Sequence, residues 1–482
     1  MPAGNSYRRE FKRVASSRSD RSDQGHSRHG STAMDTINER TGLLGSNNGH
    51  ANGGSGNHTM IYELLLNKTY TPGEESDNKL VRWPAQTLTL TKATLYSNYV
   101  NILLVFVPLG IIAGALDMNA TAVFVLNFFA IIPLAALLSF ATEEISVKLG
   151  ETMGGLLNAT FGNAVELIVS IVALKNGEIR IVQSSMLGSI LSNTLLVLGC
   201  CFLAGGIHNT RTGTASAIEQ DFNSTVASTM SSLMAVACAS LIIPATLYSV
   251  LANSDADSEA NILILSHGTA IVLLILYVLY LVFQLRTHST LFEAERDAEL
   301  AADDDTETDE VHMSPWAAGV ILVVITILVA VCAEYLVDSI DSIVATAHIS
   351  KTFIGLILLP IVGNAAEHVT AIVVAVKDKM DLAMGVAIGS SMQIALLVTP
   401  FLVILGWIMG QPMTLHFETF ETVIFFLSVW VVTYVIADGK SNYLEGAMLL
   451  GLYCIIAVAF IVYPDDAVKT DIISNVKGSL GW

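Results

Sequence analysis

The chain has 482 residues, 52% of them hydrophobic and 14% charged, with a mean hydropathy of +0.59 and a formal net charge of −19. That composition excludes an ordinary soluble domain. It points to a polytopic membrane protein, and no nucleic-acid partner is expected.

The first segment, 1–94, reads as a tail followed by an interfacial stretch. Residues 1–60 are rich in Ser, Gly, Asn and Arg and lack hydrophobic periodicity, so disorder is expected. They are basic (Arg8, Arg9, Lys12, Arg13, Arg18, Arg21, Arg28) and contain no apolar run of the signal-peptide type. Glu39-Arg40-Thr41-Gly42-Leu43-Leu44 has the spacing of an acidic dileucine signal that would engage a sorting adaptor, although six-residue patterns also arise by chance. Leu64, Leu65, Leu66 and Trp83 suit a membrane surface.

Eleven apolar stretches follow, each about 20 residues long, enough for a helix to cross a bilayer. They fall within 96–115, 121–141, 153–174, 182–206, 225–252, 261–285, 315–336, 353–376, 383–409, 421–437 and 443–463. The expected fold is all-α: an extra first helix (95–115), a five-helix repeat (116–286), an acidic connector (287–314), a second five-helix repeat (315–465) and a short tail (466–482). With the N-terminus in the cytosol, the loops on that side carry Lys148, Arg211, Arg286, Arg296, Lys377, Lys379 and Lys440. The opposite loops carry Lys175, Arg180 and Lys351. This bias agrees with the positive-inside rule and puts the C-terminus across the membrane. Cys200, Cys201, Cys238, Cys332 and Cys454 lie in apolar spans without metal or redox spacing. They read as small packing residues, and no disulfide is expected.

Two segments within these spans are nearly alike: Gly162-Asn163-Ala164-Val165-Glu166 and Gly363-Asn364-Ala365-Ala366-Glu367, the second followed by His368. The glutamates are 201 positions apart. The same offset pairs Gly154 with Gly355 and Gly188-Ser189 with Gly389-Ser390. Five spans per repeat is an odd number, so the repeats enter the membrane from opposite sides. Small residues alone would serve helix packing, but two carboxylates at membrane depth are costly and mark an ion or proton path.

Residues three and four apart share a helix face. Asn163, Glu166 and Ser170 therefore form one stripe, and Asn364, Glu367 and Thr370, with Ala371, the matching one. The following span of each repeat adds a polar patch: Ser189, Ser192 and Asn193, then Ser390, Ser391 and Gln393. Every donor except His368 is an oxygen-type ligand, which suits a hard divalent cation. Calcium accepts about six to eight oxygens in a tolerant geometry. Two close carboxylates in low-dielectric surroundings repel, so protons and metal compete for the same oxygens. Ca2+ and H+ are thus the expected transported ions, with no cofactor and no enzymatic activity. His368 stands where the first repeat has Leu167; it reads either as a proton-handling group or as a packing histidine.

These paired signatures resemble those of the cation/proton exchangers, a branch of the calcium/cation antiporter superfamily. Leu156-Leu157-Asn158-Ala159-Thr160-Phe161 and Leu358-Leu359-Pro360-Ile361-Val362 fit as well, and the resemblance covers about 90–465. It implies Glu166 and Glu367 as cation and proton carriers, His368 as a participant, and a vacuolar membrane in which lumenal protons drive removal of cytosolic calcium by alternating access. The acidic run before Asp303, containing Glu293, Asp297 and Glu299, then reads as a cytosolic calcium-attracting helix, and Asp303–Glu310 as a plain linker. A solvated linker is the other reading of the first part. A sodium/calcium exchanger of the same fold and a cation channel are the rival functions. An intramembrane enzyme lacks any recognisable motif. A homo-oligomer is compatible with the chain.

Overall fold

The computed structural model describes residues 99–149, 151–212, 219–251, 258–292, 315–347 and 349–463, with Leu88 and Lys92. The basic tail, the interfacial stretch, the dileucine sequence, the acidic run from Glu293 to Glu310 and the C-terminal tail lie outside the described residues.

Helices account for nearly all of the rest. They are α1 (Phe106–Ala115, entered through a 3-10 turn, Tyr99–Val105), α2 (Ala120–Leu149), α3 (Glu151–Phe161), α4 (Ala164–Lys175), α5 (Ile179–Arg211), α6 (Ser224–Leu251) and α7 (Ser258–Val282, continued by a π turn, Phe283–Thr287). After the acidic connector come α8 (Pro315–Asp338), α9 (Ile340–Ala347), α10 (Lys351–Gly363), α11 (Ala365–Val376), α12 (Met380–Met409), α13 (Thr419–Val435) and α14 (Tyr443–Ile461). Among the described residues seven helices are individually long and apolar enough to cross a membrane. An eighth span is the α10–α11 pair, bent by 59°. Shorter apolar helices at Val100–Ala115 and Thr419–Val435, and the α3–α4 pair, occupy the remaining expected stretches.

The packing repeats itself in mirror fashion. Helix α2 packs along α8. Helix α2 also touches α11, as its counterpart α8 touches α4. The second half of α5 packs on α14, as the second half of α12 packs on α7, and α6 meets α13. Each contact has its partner under exchange of the two repeats, as a two-fold pseudo-axis in the membrane plane requires. Small residues permit these approaches: Gly199 faces the Gly446 carbonyl, and Gly206 faces the Tyr443 backbone. A two-residue antiparallel pair, β1 (Gln220–Asp221) with β2 (Lys440–Ser441), ties one end of the bundle.

Basic loop residues form ion pairs at both ends of the bundle. Lys440 pairs with Glu219 at the end that holds the β pair. Lys175 pairs with Glu334, and Lys351 with Glu178, at the other. Cys201, Cys238 and Cys332 are buried and all five cysteines are free. Cys454 is exposed on the outer face of α14, so the packing reading fails there: its helix presents Gly446, Leu449, Tyr453 and Ile456 to the bundle instead.

Candidate functional site

Both signature glutamates sit at breaks in transmembrane helices. The chain leaves helical geometry at Asn163 (φ −101°, ψ 25°) and Asn364 (φ −97°, ψ 4°), then restarts. Glu166 and Glu367 fall in the first turns of α4 and α11. Unpaired N–H groups and the positive end of the helix dipole favour a carboxylate there. The carbonyl ends of α3 and α10 face the same breaks and offer oxygens to a cation.

The two repeats interlock across the breaks. A Cβ added at Gly363 would lie 2.6 Å from Glu166 Oε1, and one added at Gly162 would lie 3.8 Å from Glu367 Oε1. Glu166 is therefore lodged against the signature glycine of the opposite repeat, which leaves no room for a side chain at Gly363; Glu367 is in ordinary contact with Gly162, where the tighter neighbour is the Asn158 carbonyl at 2.8 Å. Glu166 is buried, and Glu367 is close enough to feel its charge.

Around the pair, one set of polar groups is hydrogen-bonded and another is not. Asn163 Nδ2 donates to Gln393 Oε1 at 2.7 Å, Ser390 Oγ donates to Asn163 Oδ1 at 2.9 Å, and Asn193 Nδ2 donates to Ser390 Oγ at 3.1 Å. By contrast Glu166 Oε1, Glu367 Oε2, Ser170 Oγ, Ser189 Oγ and Asn364 Nδ2 are buried without a hydrogen-bond partner. Buried polar groups are normally satisfied, so the four orphan oxygens mark candidate ligand positions; the Asn364 amide nitrogen is a donor, and only that side chain's Oδ1 could face a cation. A small cavity lined by Glu166, Ser185, Ser189, Val362 and Gly363 opens beside them. His368 Nε2 lies 3.5 Å from Ser192 Oγ, so the imidazole faces the polar patch of the other repeat. Among the described residues no three His, Cys, Asp or Glu side chains converge. What the described residues gather here is two carboxylates with amide and hydroxyl groups.

The structure thus brings Asn163, Glu166, Ser189, Ser192, Asn364, Glu367, His368, Ser390 and Gln393 into one central region. Thr370 is a correction: it is exposed, and its hydroxyl donates to the Ala366 carbonyl. The inward stripe continues instead through Ala371, the counterpart of Ser170 at the 201-residue offset, which is fully buried. Ser391 bonds to the Ala387 carbonyl and across to Ile190, a packing role between α12 and α5. Glu293, Asp297 and Glu299 lie outside the described residues.

Sequence reasoning missed a clamp at one end of the bundle. Arg180 donates to both oxygens of the fully buried Glu421 (2.9 and 2.5 Å) and to Thr352 Oγ1 at 3.2 Å. It thereby joins α5, α10 and α13. The signal available was a pair of charges at apolar span edges, but nothing in their spacing links residues 241 positions apart. Tyr453 of α14, buried beside Ser192, was missed as well.

The two ends of the bundle differ. The first half of α10 is seated on the first half of α5, and Arg180 pins it there. The counterpart pair, α3 and the first half of α12, makes no comparable packing. Ile354 and Ile357 on α10 are 0% and 5% exposed, whereas their counterparts on α3, Met153 and Leu156, are 56% and 40% exposed. The Arg180 end is thus packed shut, the closed end, while at the α3 end the counterpart helices stand unpacked, the open end.

Comparison with known proteins places this architecture. The sodium/calcium exchanger protein family matches residues 119–286 and 317–462, one block for each repeat. A vacuolar calcium ion transporter of Schizosaccharomyces pombe is 52% identical over 394 residues, 81% of this chain and 92% of that protein. A vacuolar cation/proton exchanger 3 of Oryza sativa is 41% identical over 394 residues, with the same coverage of 81% and 92%. Among solved structures, native YfkE superposes with a TM-score of 0.63 at 36% identity, covering 76% of this chain and all of that one. The chain belongs to the sodium/calcium exchanger protein family, on its cation/proton exchanger branch.

Proposed function

We propose that this protein is a vacuolar calcium/proton antiporter, moving cytosolic Ca2+ into the vacuole in exchange for lumenal protons. The names of the relatives support the substrate pair and the membrane: a vacuolar calcium ion transporter, a vacuolar cation/proton exchanger, and YfkE, described as a Ca2+/H+ antiporter. One observation in the structure carries the reading. Two carboxylates from opposite repeats, Glu166 and Glu367, meet at paired helix breaks with unpartnered oxygens.

The chemistry follows from charge. Two ionised carboxylates at membrane depth balance one divalent cation, and without an ion or protons they repel in a medium that screens poorly. Loaded with Ca2+, or with protons, the centre can be enclosed; bare, it cannot. Glu166, Glu367, Ser189 and Asn364 would bind the ion directly, while Asn163, Gln393, Ser390 and Asn193 hold the breaks in register. His368 and Ser192 form a polar edge on one side. With the N-terminus cytosolic and the C-terminus lumenal, the open end faces the cytosol and the Arg180 clamp closes the lumenal side. Eleven crossings and the domain division given above belong to the same reading, as do a cytosolic role for the acidic connector and adaptor binding at Glu39, Leu43 and Leu44.

The test is calcium-45 uptake into proteoliposomes with an acidic interior. The wild-type protein accumulates Ca2+ and loses this activity when the pH gradient is collapsed. Sodium-driven uptake indifferent to pH would favour the sodium/calcium exchanger, and single-channel currents would favour a channel.

A further inference from the structure

The repeat register says what the unseen half of the transport cycle looks like at the open end. At the closed end, a Cβ on Gly188 would collide with the Leu356 carbonyl, and one on Gly355 would collide with Ser184 Oγ. These collisions show how closely α10 is pressed onto α5. At the 201-residue offset the corresponding positions of the open end are Gly389, Gly155, Gly154 and Gly385. All four are glycine.

These positions are differently placed. A Cβ added at Gly389 would meet nothing within 4 Å. Gly155 rests near the Leu285 side chain, 3.3 Å from its would-be Cβ, and Gly154 packs on the Ser146 carbonyl of α2. Met153 and Leu156 carry exposed apolar surface. A vacant seat on α12 and an unburied face on α3 therefore coexist, and their counterparts at the closed end are joined.

We propose that the Gly385–Gly389 face of α12 is the docking surface for residues 153–157 of α3, and that this contact is the gate that closes the open end. It rests on the antiport reading and adds the gate residues to it. In the docked state the Gly155 backbone lies on Gly389 as Leu356 lies on Gly188, and Gly154 meets Gly385 where Gly355 meets Ser184. With no side chain at any of the four positions, backbone meets backbone directly at both crossings, as small residues allow in membranes. Docking buries Met153 and Leu156 as Ile354 and Ile357 are buried at the other end.

The experiment fills the seat. Gly389→Leu adds a side chain whose Cβ meets nothing within 4 Å in the present state, so the open state and its binding site are expected to be kept while docking is blocked. In full-length, reconstituted protein, gradient-driven calcium-45 uptake falls at least 10-fold, and calcium-45 binding in detergent stays within twofold of wild type. Gly389→Ala gives an intermediate loss. A cysteine-free version carrying Met153→Cys supplies a readout independent of transport. Its maleimide labelling is slower in saturating Ca2+ than in chelator, and adding Gly389→Leu removes that difference. Wild-type uptake by Gly389→Leu, or labelling that ignores residue 389, overturns the gate. If Gly389→Leu fails to fold, Gly389→Ala carries the same comparison. Absence of proton-driven uptake in the wild type would instead overturn the antiport reading, and the labelling comparison would still decide the gate.

Discussion

The interlock between the repeats makes a sharp prediction at Gly363. Replacing it with alanine puts a Cβ 2.6 Å from Glu166 Oε1. Ordinary van der Waals separation then requires one group to retreat by roughly 0.5–1 Å. The carboxylate is the far end of a flexible side chain, whereas the backbone at the break is held by the Asn364 N–H to Pro360 carbonyl bond at 3.0 Å. Glu166 therefore moves, and the fold survives. A displacement near 1 Å at a reacting or ligating centre costs up to about 100-fold. Gly363→Ala is expected to elute as a monodisperse protein and to lose about 10- to 100-fold in gradient-driven calcium-45 uptake at low Ca2+. The counterpart change, Gly162→Ala, meets the Asn158 carbonyl at 2.8 Å and Glu367 only at 3.8 Å. Its cost should fall on the bend of the first repeat and so on thermal stability. Wild-type uptake by Gly363→Ala, or identical behaviour of the two variants, would refute the claim that Glu166 is lodged against the opposite repeat.

Further expectations concern charge. Glu166→Gln and Glu367→Gln each keep the fold and lower calcium uptake by about 100-fold or more, because one carboxylate no longer balances a divalent ion; size-exclusion profiles and vesicle uptake check both halves of that statement. His368→Ala weakens uptake or shifts its dependence on pH, read from uptake across a series of interior pH values. Arg180→Gln leaves the buried Glu421 unpaired and should cost about 3 kcal/mol, seen as a lower Tm in detergent; an unchanged Tm would show the clamp to be dispensable. Deleting Asp303–Glu310 should leave calcium affinity at the central site nearly intact, measured by binding in detergent.

Much of this molecule was legible in the order of its residues. The 201-residue offset is a sequence property, and it gave the paired sites, the break glycines and the mirrored polar patches before any coordinates. The inward face was legible through Ser170 but not through Thr370. An i, i+3 neighbour is rotated from Glu367 in one direction and an i, i+4 neighbour in the other, and packing against α2 and α5 selects the second. Arg180, Thr352 and Glu421 were illegible for a different reason. Their contact joins three spans from both repeats, so only the assembled bundle brings them together. The asymmetry of the two ends could not be read from the matched segments, which are common to both; the clamp that separates the ends has no repeat counterpart, since Asp381, Gln220 and Glu151 stand at the 201-residue offset from Arg180, Glu421 and Thr352. Which end is closed is a choice between two states of the same chain.

The most direct test of the central claim is a structure determined with bound calcium. The account predicts a single ion between the repeats, with one carboxylate oxygen of Glu166 and one of Glu367 both within about 2.3–2.6 Å. A calcium ion held by only one of the two glutamates, or bound away from the paired helix breaks, would contradict it.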